Sequence, residues 1–336
     1  MRALTIHGKQ DLRQDEVPTP EPGPGQVRLR MAYAGICGSD LHYYFHGANG
    51  QFVVREPLVP GHELSGTVEL DPSGALPTGT PVTVHPATFG PALPEVPGKR
   101  HLWPGGSYLG SASGWPHTQG GMSEYLVVDR EMVRTLPPTL SLATAALAEP
   151  LAVALHAIRI AGGVRAKDVL VNGSGPIGLL VTAAAVALGA RVTASDVLPE
   201  PLERASAVGA HRAVQVGLEP VGTEAYDVVF ECSGVPAAIS STFVAVRRAG
   251  VVVQVGMVPD EPAPVAVAPL IAKEAEYRGC FRFDDEIDDA VRMLDDNPAF
   301  AQVITHTVRA QDAVEAFTVA RDSRASGKVL VSLWRD

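Results

Sequence analysis

The stretch VLVNGSGPIGLL, residues 169–180, decides the fold. It reads as a short apolar strand, then G-x-G-x-x-G at Gly173, Gly175 and Gly178, then the opening of an apolar helix. In that setting each glycine has a task. Gly173 permits the tight turn, Gly175 lets backbone approach a pyrophosphate, and Gly178 lets helix and strand pack closely. Pro176 and Ile177 lie at the helix N-terminus, where free N–H groups face phosphate oxygens. Roughly 20 residues further on, a second strand, RVTASD, ends at Asp196. A carboxylate there accepts hydrogen bonds from both ribose hydroxyls and repels a 2′-phosphate, which favours NAD over NADP. A glycine-rich turn in an α/β protein that binds no nucleotide is the bland alternative.

The neighbouring segments extend this pattern. RAVQV, YDVVFEC, GVVVQVGM and EYRGC read as further strands, and PIGLLVTAAAVALG and PEPLERASAVGA as helices. Short β-branched runs alternating with helices predict a doubly wound parallel sheet covered on both faces, over about 149–281. Cys232, Ser233 and Val255, at the ends of two of these strands, are further cofactor candidates. Arg282, just after the last strand, either reaches cofactor or substrate or makes an ordinary surface salt bridge. Cys232 and Cys280 sit in apolar strands and read as buried, inert thiols.

The flanks read differently. With 336 residues the chain can form two domains. The first third is rich in Gly, Pro and β-branched residues, and QVRLRMAYAGI and TVEL read as strands broken by turns. Residues 1–148 are expected to form a mostly-β domain, and 282–336 to return to it as two helices and a strand. SLATAALAEPLAVALHAIRIAG reads as helical, with Pro150 as an interruption. Residues 86–107 form one long Pro/Gly-rich loop, of the kind that is usually functional or locally packed.

Composition narrows the function. Hydrophobic residues make up 46%, and 37 acids against 27 bases give a net charge of −10. That disfavours nucleic acid and anionic membranes as partners. The start, MRALTIHGKQDLRQDEV, shows no secretory signal, and the most apolar run, LLVTAAAVALGA, is too short to span a bilayer. Three scattered cysteines argue against a disulfide framework and fit a reducing cytoplasm.

The stretch PGHELSG, residues 60–66, sets His62 beside Glu63. The H-E-x-x-H pattern fails, because Gly66 stands where the second histidine belongs. Cys37, between glycines in AGICGSDLH, offers a thiolate to go with the imidazole, a good pair for zinc. Glu149 is the candidate third ligand, and three protein ligands leave one position open for substrate. Neighbours in a regular strand point to opposite faces. Glu63 is therefore either a ligand or a group just behind the metal. A buried structural cysteine and a solvated His-Glu turn form the alternative. Ser39 and His42 are three apart and share a helical face; alone they read as a helix cap and a surface histidine. None of the seven tyrosines has a lysine four residues later, so the metal rather than a tyrosine should polarise the substrate. His156, seven residues after Glu149, reads as packing near the cleft.

Taken together, PGPGQVRLRMAYAGICGSDLHYY, PGHELSG, EPLAVALHA, GSGPIG and SGKVLVSL resemble the zinc-dependent medium-chain alcohol and polyol dehydrogenases. The resemblance implies an α/β chain with a GroES-like, mostly-β catalytic domain and a Rossmann coenzyme domain. It makes Cys37 and His62 zinc ligands, puts Glu149 in the place of a third, and lets Glu63 bind or swing onto the metal. It has Ser39 pass a proton through the cofactor ribose to His42. It implies NAD, a small sugar acid or polyol as substrate, and a homodimer or homotetramer. The stretch YLGSASGWPHTQGGMSEYLVV looks most like the L-idonate 5-dehydrogenases of this family, although sorbitol, xylitol, threonine and butanediol dehydrogenases share the core motifs. A sugar-acid carboxylate would need a cation, which Arg282, Lys99, Arg100, His101 or His117 could supply.

Two departures stand out. Relatives often hold a second, structural zinc on four cysteines, and residues 86–110 contain none. One catalytic zinc and no structural zinc are expected, with Phe89, Trp103, Tyr108 and five prolines stiffening the loop in its place. Pro201 stands where many relatives carry an arginine near the adenosine. The rival readings are a zinc-free quinone reductase of the same fold class and an NAD-binding protein that has lost catalysis.

Overall fold

The computed structural model describes residues 1–259 and 261–334. The glycine-rich turn lies at the centre of a six-stranded sheet with the spatial order Arg212–Gln215, Arg191–Asp196, Asp168–Asn172, Tyr226–Glu231, Val246–Gln254, Glu276–Gly279. Every pair in it is parallel. Counted along the chain, that order is 3-2-1-4-5-6, the doubly wound arrangement with its crevice between the first and fourth strands. The central strands are apolar on both faces, as Val169, Leu170 and Val171 show by their complete or near-complete burial. A sheet covered by helices on both sides requires this.

The second sheet has seven strands and is mixed. Its middle strand, Gln26–Gly35, pairs antiparallel with Glu63–Leu70, Tyr125–Asp129 and Lys328–Ser332. The last of these also runs parallel to Ile304–Arg309. Residues close to both termini therefore build one core, in which Leu4, Leu29, Leu64, Phe317 and Val331 pack together. Gly66 stands where strand Glu63–Leu70 crosses Gln26–Gly35, and a Cβ there would lie 2.3 Å from the Arg30 carbonyl oxygen. Among the described residues no helix is long and apolar enough to cross a membrane.

Two local readings change. Pro150 does not interrupt a helix. The break falls at Ala146 and Leu147, between helices Leu142–Ala145 and Ala148–Ile160. Pro150 occupies the first turn of the second helix, where its missing N–H has no intrahelical partner to lose. The C-terminal return also contains a strand that the sequence reading left out, Ile304–Arg309. It alternates half-buried and exposed residues at the sheet edge, so it carries no continuous apolar run.

The loop over 86–110 is held by a short backbone ladder and by contacts of its aromatic residues. Ala87–Thr88 pairs with Ser107–Tyr108 in a two-stranded ladder. The Arg100 guanidinium covers the Phe89 ring at 4.6 Å and pairs with Asp284 at 2.7 Å, and the Trp103 indole N–H donates to the Val96 carbonyl at 3.3 Å. Tyr108 pairs with Ala87 through its backbone, while its side chain meets His62 and Glu149.

Helix Ala148–Ile160 is buried along most of its length and touches strand Glu63–Leu70. It packs against helices Pro176–Ala187 and Ile287–Asp296. Glu149 lies near its N-terminal end. Further along, His156 Nδ1 and Glu286 Oε1 are 2.6 Å apart, so His156 is tied to the C-terminal segment rather than to Glu149.

Candidate metal and coenzyme site

Cys37 leaves the end of strand Gln26–Gly35 and caps helix Gly38–His46. Its backbone N–H donates to Asp40 Oδ2 at 2.9 Å, and the Gly61 N–H donates to Asp40 Oδ1 at 3.2 Å. Asp40 is fully buried, so one carboxylate staples the turn carrying Cys37 to the turn carrying His62. Burial pushes the Asp40 carboxyl above its ordinary range, against the pull of His62 and the Cys37 N–H. Gly61 has φ 97°, and a Cβ there would meet Met122 Cγ at 2.8 Å. The left-handed turn bends the chain just before His62. The strand begins only at Glu63, so the opposite-face rule does not apply to this pair. Ligand atoms of Cys37, His62 and Glu63 all lie within 4.8 Å of one another.

Zinc fits these residues. His62 Nδ1 and Glu63 Oε2 are buried without a hydrogen-bond partner, which folded proteins rarely tolerate. A divalent cation would satisfy them, and a thiolate, an imidazole and a carboxylate form a donor set suited to zinc. Among the described residues only this one group of three such ligands comes together.

Two buried groups stand behind the three ligands. Lys328 donates to Glu63 Oε1 at 2.6 Å and to the Ile36 carbonyl at 3.1 Å, with both side chains almost wholly buried. Glu149 lies beside the cluster and accepts a short hydrogen bond from the Tyr108 hydroxyl. Burial raises the Glu149 carboxyl, while the charge of His62 opposes the rise and that of Glu63 adds to it. Tyr108 meets the His62 ring edge-on at 5.4 Å, and burial with the Glu149 charge holds its phenol well above the ordinary range. The Arg282 guanidinium lies 4.1 Å over the Tyr108 ring, on a backbone with φ 51°.

Ser39 is half-buried and His42 exposed, on the same short helix. The cap is Cys37, not Ser39. The His42 ring packs against His46 at 5.6 Å. Partial burial, then the neighbouring His46, hold its pKa below the usual value.

In the coenzyme cleft the glycines stand as their spacing requires. Gly173 has φ 93°, and a Cβ at Gly178 would fall 1.9 Å from the Gly173 carbonyl oxygen. A Cβ at Gly175 would meet nothing, which leaves open space above the N-terminus of helix Pro176–Ala187. Pro176 and Ile177 form the first turn of that helix. Asp196 accepts from the Ser174 N–H at 2.8 Å and the Leu198 N–H at 3.0 Å, which fixes its carboxylate at the lip of the turn. Pro201 is buried in helix Pro199–Ala207. The Ser233 N–H donates to the Glu231 carboxylate and the Val255 N–H to the Glu231 carbonyl. Cys232 and Cys280 are half-buried rather than fully enclosed. Burial still pushes both thiols up, Cys280 to about 12.

Asp40, Lys328 and Glu231 escaped the sequence reading. Asp40 carries no standard signal, since Cys37-x-x-Asp40 departs from the Ser/Thr-x-x-Glu/Gln capping box and the sequence reads Ser39 as the cap. Lys328 opens an apolar strand, and nothing local shows that it is buried.

The Lys328–Glu63 pair makes a prediction. Without metal, Lys328→Met leaves a buried carboxylate with no counter-charge, which costs about 3–5 kcal/mol. In excess chelator the variant should melt well below the parent, and zinc should close part of that gap by supplying positive charge. Identical melting of the two proteins in chelator would show that the pair is not needed.

Comparison with known proteins places this geometry. The alcohol dehydrogenase GroES-like domain matches residues 23–138, and the zinc-binding dehydrogenase domain matches 176–296. Sorbitol dehydrogenase of Gallus gallus is 33% identical over 336 residues, 95% of this chain and 93% of the relative. L-idonate 5-dehydrogenase (NAD(P)(+)) of Escherichia coli is 34% identical over 311 residues, 90% of each chain. The crystal structure of the L-idonate 5-dehydrogenase from Escherichia coli superposes with a TM-score of 0.93 at 30% identity, covering 98% of this chain and 97% of that one. Sugar-alcohol dehydrogenases thus match it over nearly its full length, and the same chain carries a zinc-fitting ligand set and a glycine turn of the dinucleotide-binding type, so the chain belongs to the zinc-binding medium-chain dehydrogenases and is an alcohol/polyol dehydrogenase.

Proposed function

We propose that the chain oxidises a secondary hydroxyl of a sugar acid, with L-idonate converted at C5 to 5-dehydro-D-gluconate and NAD as the acceptor. The observation that carries this reading is Arg282. Among the described residues no carboxylate pairs with its guanidinium, yet it stands over Tyr108, whose hydroxyl is bonded to Glu149. A cation beside the metal chamber is what a substrate carboxylate needs. The other candidates are engaged or distant. Arg100 is paired with Asp284, His101 packs on His156, His117 is hydrogen-bonded at both ring nitrogens, and Lys99 is exposed on the loop. The likeness to L-idonate 5-dehydrogenase supports the same reading.

The chain's own groups suggest a division of labour. When bound, zinc would supply a Lewis acid for the substrate oxygen, and the nicotinamide an acceptor for the hydride. Cys37, His62 and Glu63 would hold the metal, and Lys328 offsets the charge of Glu63. Glu149 and Tyr108 form a polar wall against which a chain of hydroxyls can be oriented, unlike the apolar wall that a simple aliphatic alcohol would want. Ser39 takes the released proton toward His42. Partial burial and the neighbouring His46 favour the neutral form of His42, which has a ring nitrogen free to accept, and its exposed edge lets it pass the proton to water.

A neutral polyol is the second reading, because sorbitol dehydrogenases match at similar identity. A panel of aldonates, polyols, threonine and butanediol, followed through NADH, separates the two. L-Idonate should be preferred, and Arg282→Leu should raise its KM by roughly 10-fold or more, the value of a charge-assisted bond. Turnover of sorbitol or xylitol with none of L-idonate would overturn the sugar-acid reading and leave the metal and coenzyme assignments standing. NADH binding with no turnover of any alcohol would favour a non-catalytic protein.

Asp196 supports NAD. Its carboxylate is held by two backbone N–H groups, where it would meet a ribose and repel a 2′-phosphate. Asp196→Ser should bring NADP turnover to within about 10-fold of NAD; equal turnover of the two coenzymes by the unaltered protein would count against the assignment.

Self-association is the other part of the proposal. Strand Glu276–Gly279 is a sheet edge with unpaired backbone groups. Exposed apolar side chains lie in and around it, including Ile271 at 71%, Tyr277 at 44% and Phe281 at 46% exposure. We propose that a second copy covers them, in a dimer or tetramer held in a reducing compartment, which suits the three free thiols. Sedimentation should show an oligomer that Tyr277→Lys weakens; a monomer at micromolar concentration would refute it.

A further inference from the structure

The coenzyme sheet contains a buried carboxylate that none of the steps above uses. Glu231 ends strand Tyr226–Glu231 and is fully buried. Its Oε1 accepts from the Ser233 N–H at 2.9 Å and, more closely, from the Ser233 hydroxyl. Its Oε2 accepts from the Gly234 N–H at 2.9 Å and from the Gln254 amide at 2.6 Å. The Asn172 amide donates to Oε1 from 3.4 Å. The Glu231 carbonyl accepts from the Val255 and Gly256 N–H groups at 2.8 and 2.9 Å. One residue thus joins the carboxyl ends of three neighbouring strands to the loops that follow two of them.

Those loops have no slack. A Cβ at Gly234 would lie 2.1 Å from the Met257 carbonyl oxygen, one at Gly256 would lie 2.4 Å from the Gly234 nitrogen, and one at Gly173 would lie 2.9 Å from the Ser233 nitrogen. The positions of 232–234, 255–257 and the glycine turn are therefore coupled. In a doubly wound sheet a dinucleotide lies across the carboxyl ends, one mononucleotide over each half. Asp196 marks the adenosine half, on the second strand. Glu231 and Gln254 end the fourth and fifth strands, which carry the other half, the nicotinamide. A carboxylate is acceptor-only, so it alone among side chains of this size can take these five convergent donors without presenting a hydrogen of its own.

We propose that Glu231 is a positioning residue for the nicotinamide half of the coenzyme. It sets the loops 232–235 and 255–258 against the glycine turn, and it acts through their backbone rather than by touching the reacting atoms. Burial, together with the Glu231 charge beside it, also holds the Cys232 thiol well above its ordinary range, so the thiol stays protonated next to the cleft.

Glu231→Gln keeps the size and turns one acceptor into an NH2 group facing donors. The test compares binding of NADH with binding of ADP-ribose, which carries the adenosine half and no nicotinamide. The variant should weaken NADH by about 10-fold or more, the scale of hydrogen bonds to a charged group. It should leave ADP-ribose and zinc content unchanged, and the KM for NAD should rise more than kcat falls. Unaltered NADH binding would overturn the proposal. So would an equal loss of NADH and ADP-ribose, which would make Glu231 a general scaffold residue. Should Glu231→Gln fail to fold, Gln254→Leu removes one donor to the same carboxylate and should give the same selective pattern, at about 3-fold; no selectivity in that variant would overturn the proposal equally.

Discussion

A buried lysine and a buried glutamate, Lys328 and Glu63, govern how the rest of the molecule is arranged. Neither charge can be left alone away from water. Their contact ties strand Lys328–Ser332 to strand Glu63–Leu70 across Gln26–Gly35, which lies between the two. The coenzyme sheet, built from residues between the two partners, is thereby inserted into a catalytic unit assembled from both sides of it. The metal cluster inherits its location from that closure. Glu63 offers one oxygen to the lysine and keeps the other, partnerless, toward Cys37 and His62.

Two carboxylate centres divide the chemistry of the cleft. Glu63 and Glu149 lie where a cation can sit, next to a thiol and an imidazole. Glu231 is surrounded by N–H and O–H donors instead, and needs no metal. The same functional group serves as a ligand in one sheet and as a structural anion in the other. The difference comes from what faces it: Glu63 keeps one oxygen without any donor, whereas both oxygens of Glu231 are filled by amide and hydroxyl donors at the strand ends.

Much of this was legible in the sequence because it depends on neighbours along the chain. The glycine turn, its flanking strand and helix, and Asp196 all fall within one short segment, so their spacing specifies the parallel sheet. Cys37 and His62 are chemically distinctive, and the cluster drew attention through them. What stayed hidden depends on distant partners. Whether His62 and Glu63 share a side of the chain is settled by the left-handed turn at Gly61, which Met122 and Asp40 hold from elsewhere in the fold. Lys328 reads as an ordinary strand-edge cation until Glu63 is placed against it. Pro150 misled because a proline that starts a helix and one that breaks a helix look the same in sequence. Ile304–Arg309 escaped because an edge strand has little apolar signal.

The ion pair also has a history within each molecule. Its partners are 265 positions apart. A ribosome adding 5–20 residues per second would deliver the lysine on the order of tens of seconds after the glutamate. Through that interval the metal-side strand has its neighbours from the early part of the chain but not its counter-ion, while the coenzyme sheet emerges complete. The glutamate must stay hydrated, or meet a metal, until the lysine arrives. The order of synthesis thus leaves the redox half free to form first and makes closure of the metal half a late event on the nascent chain.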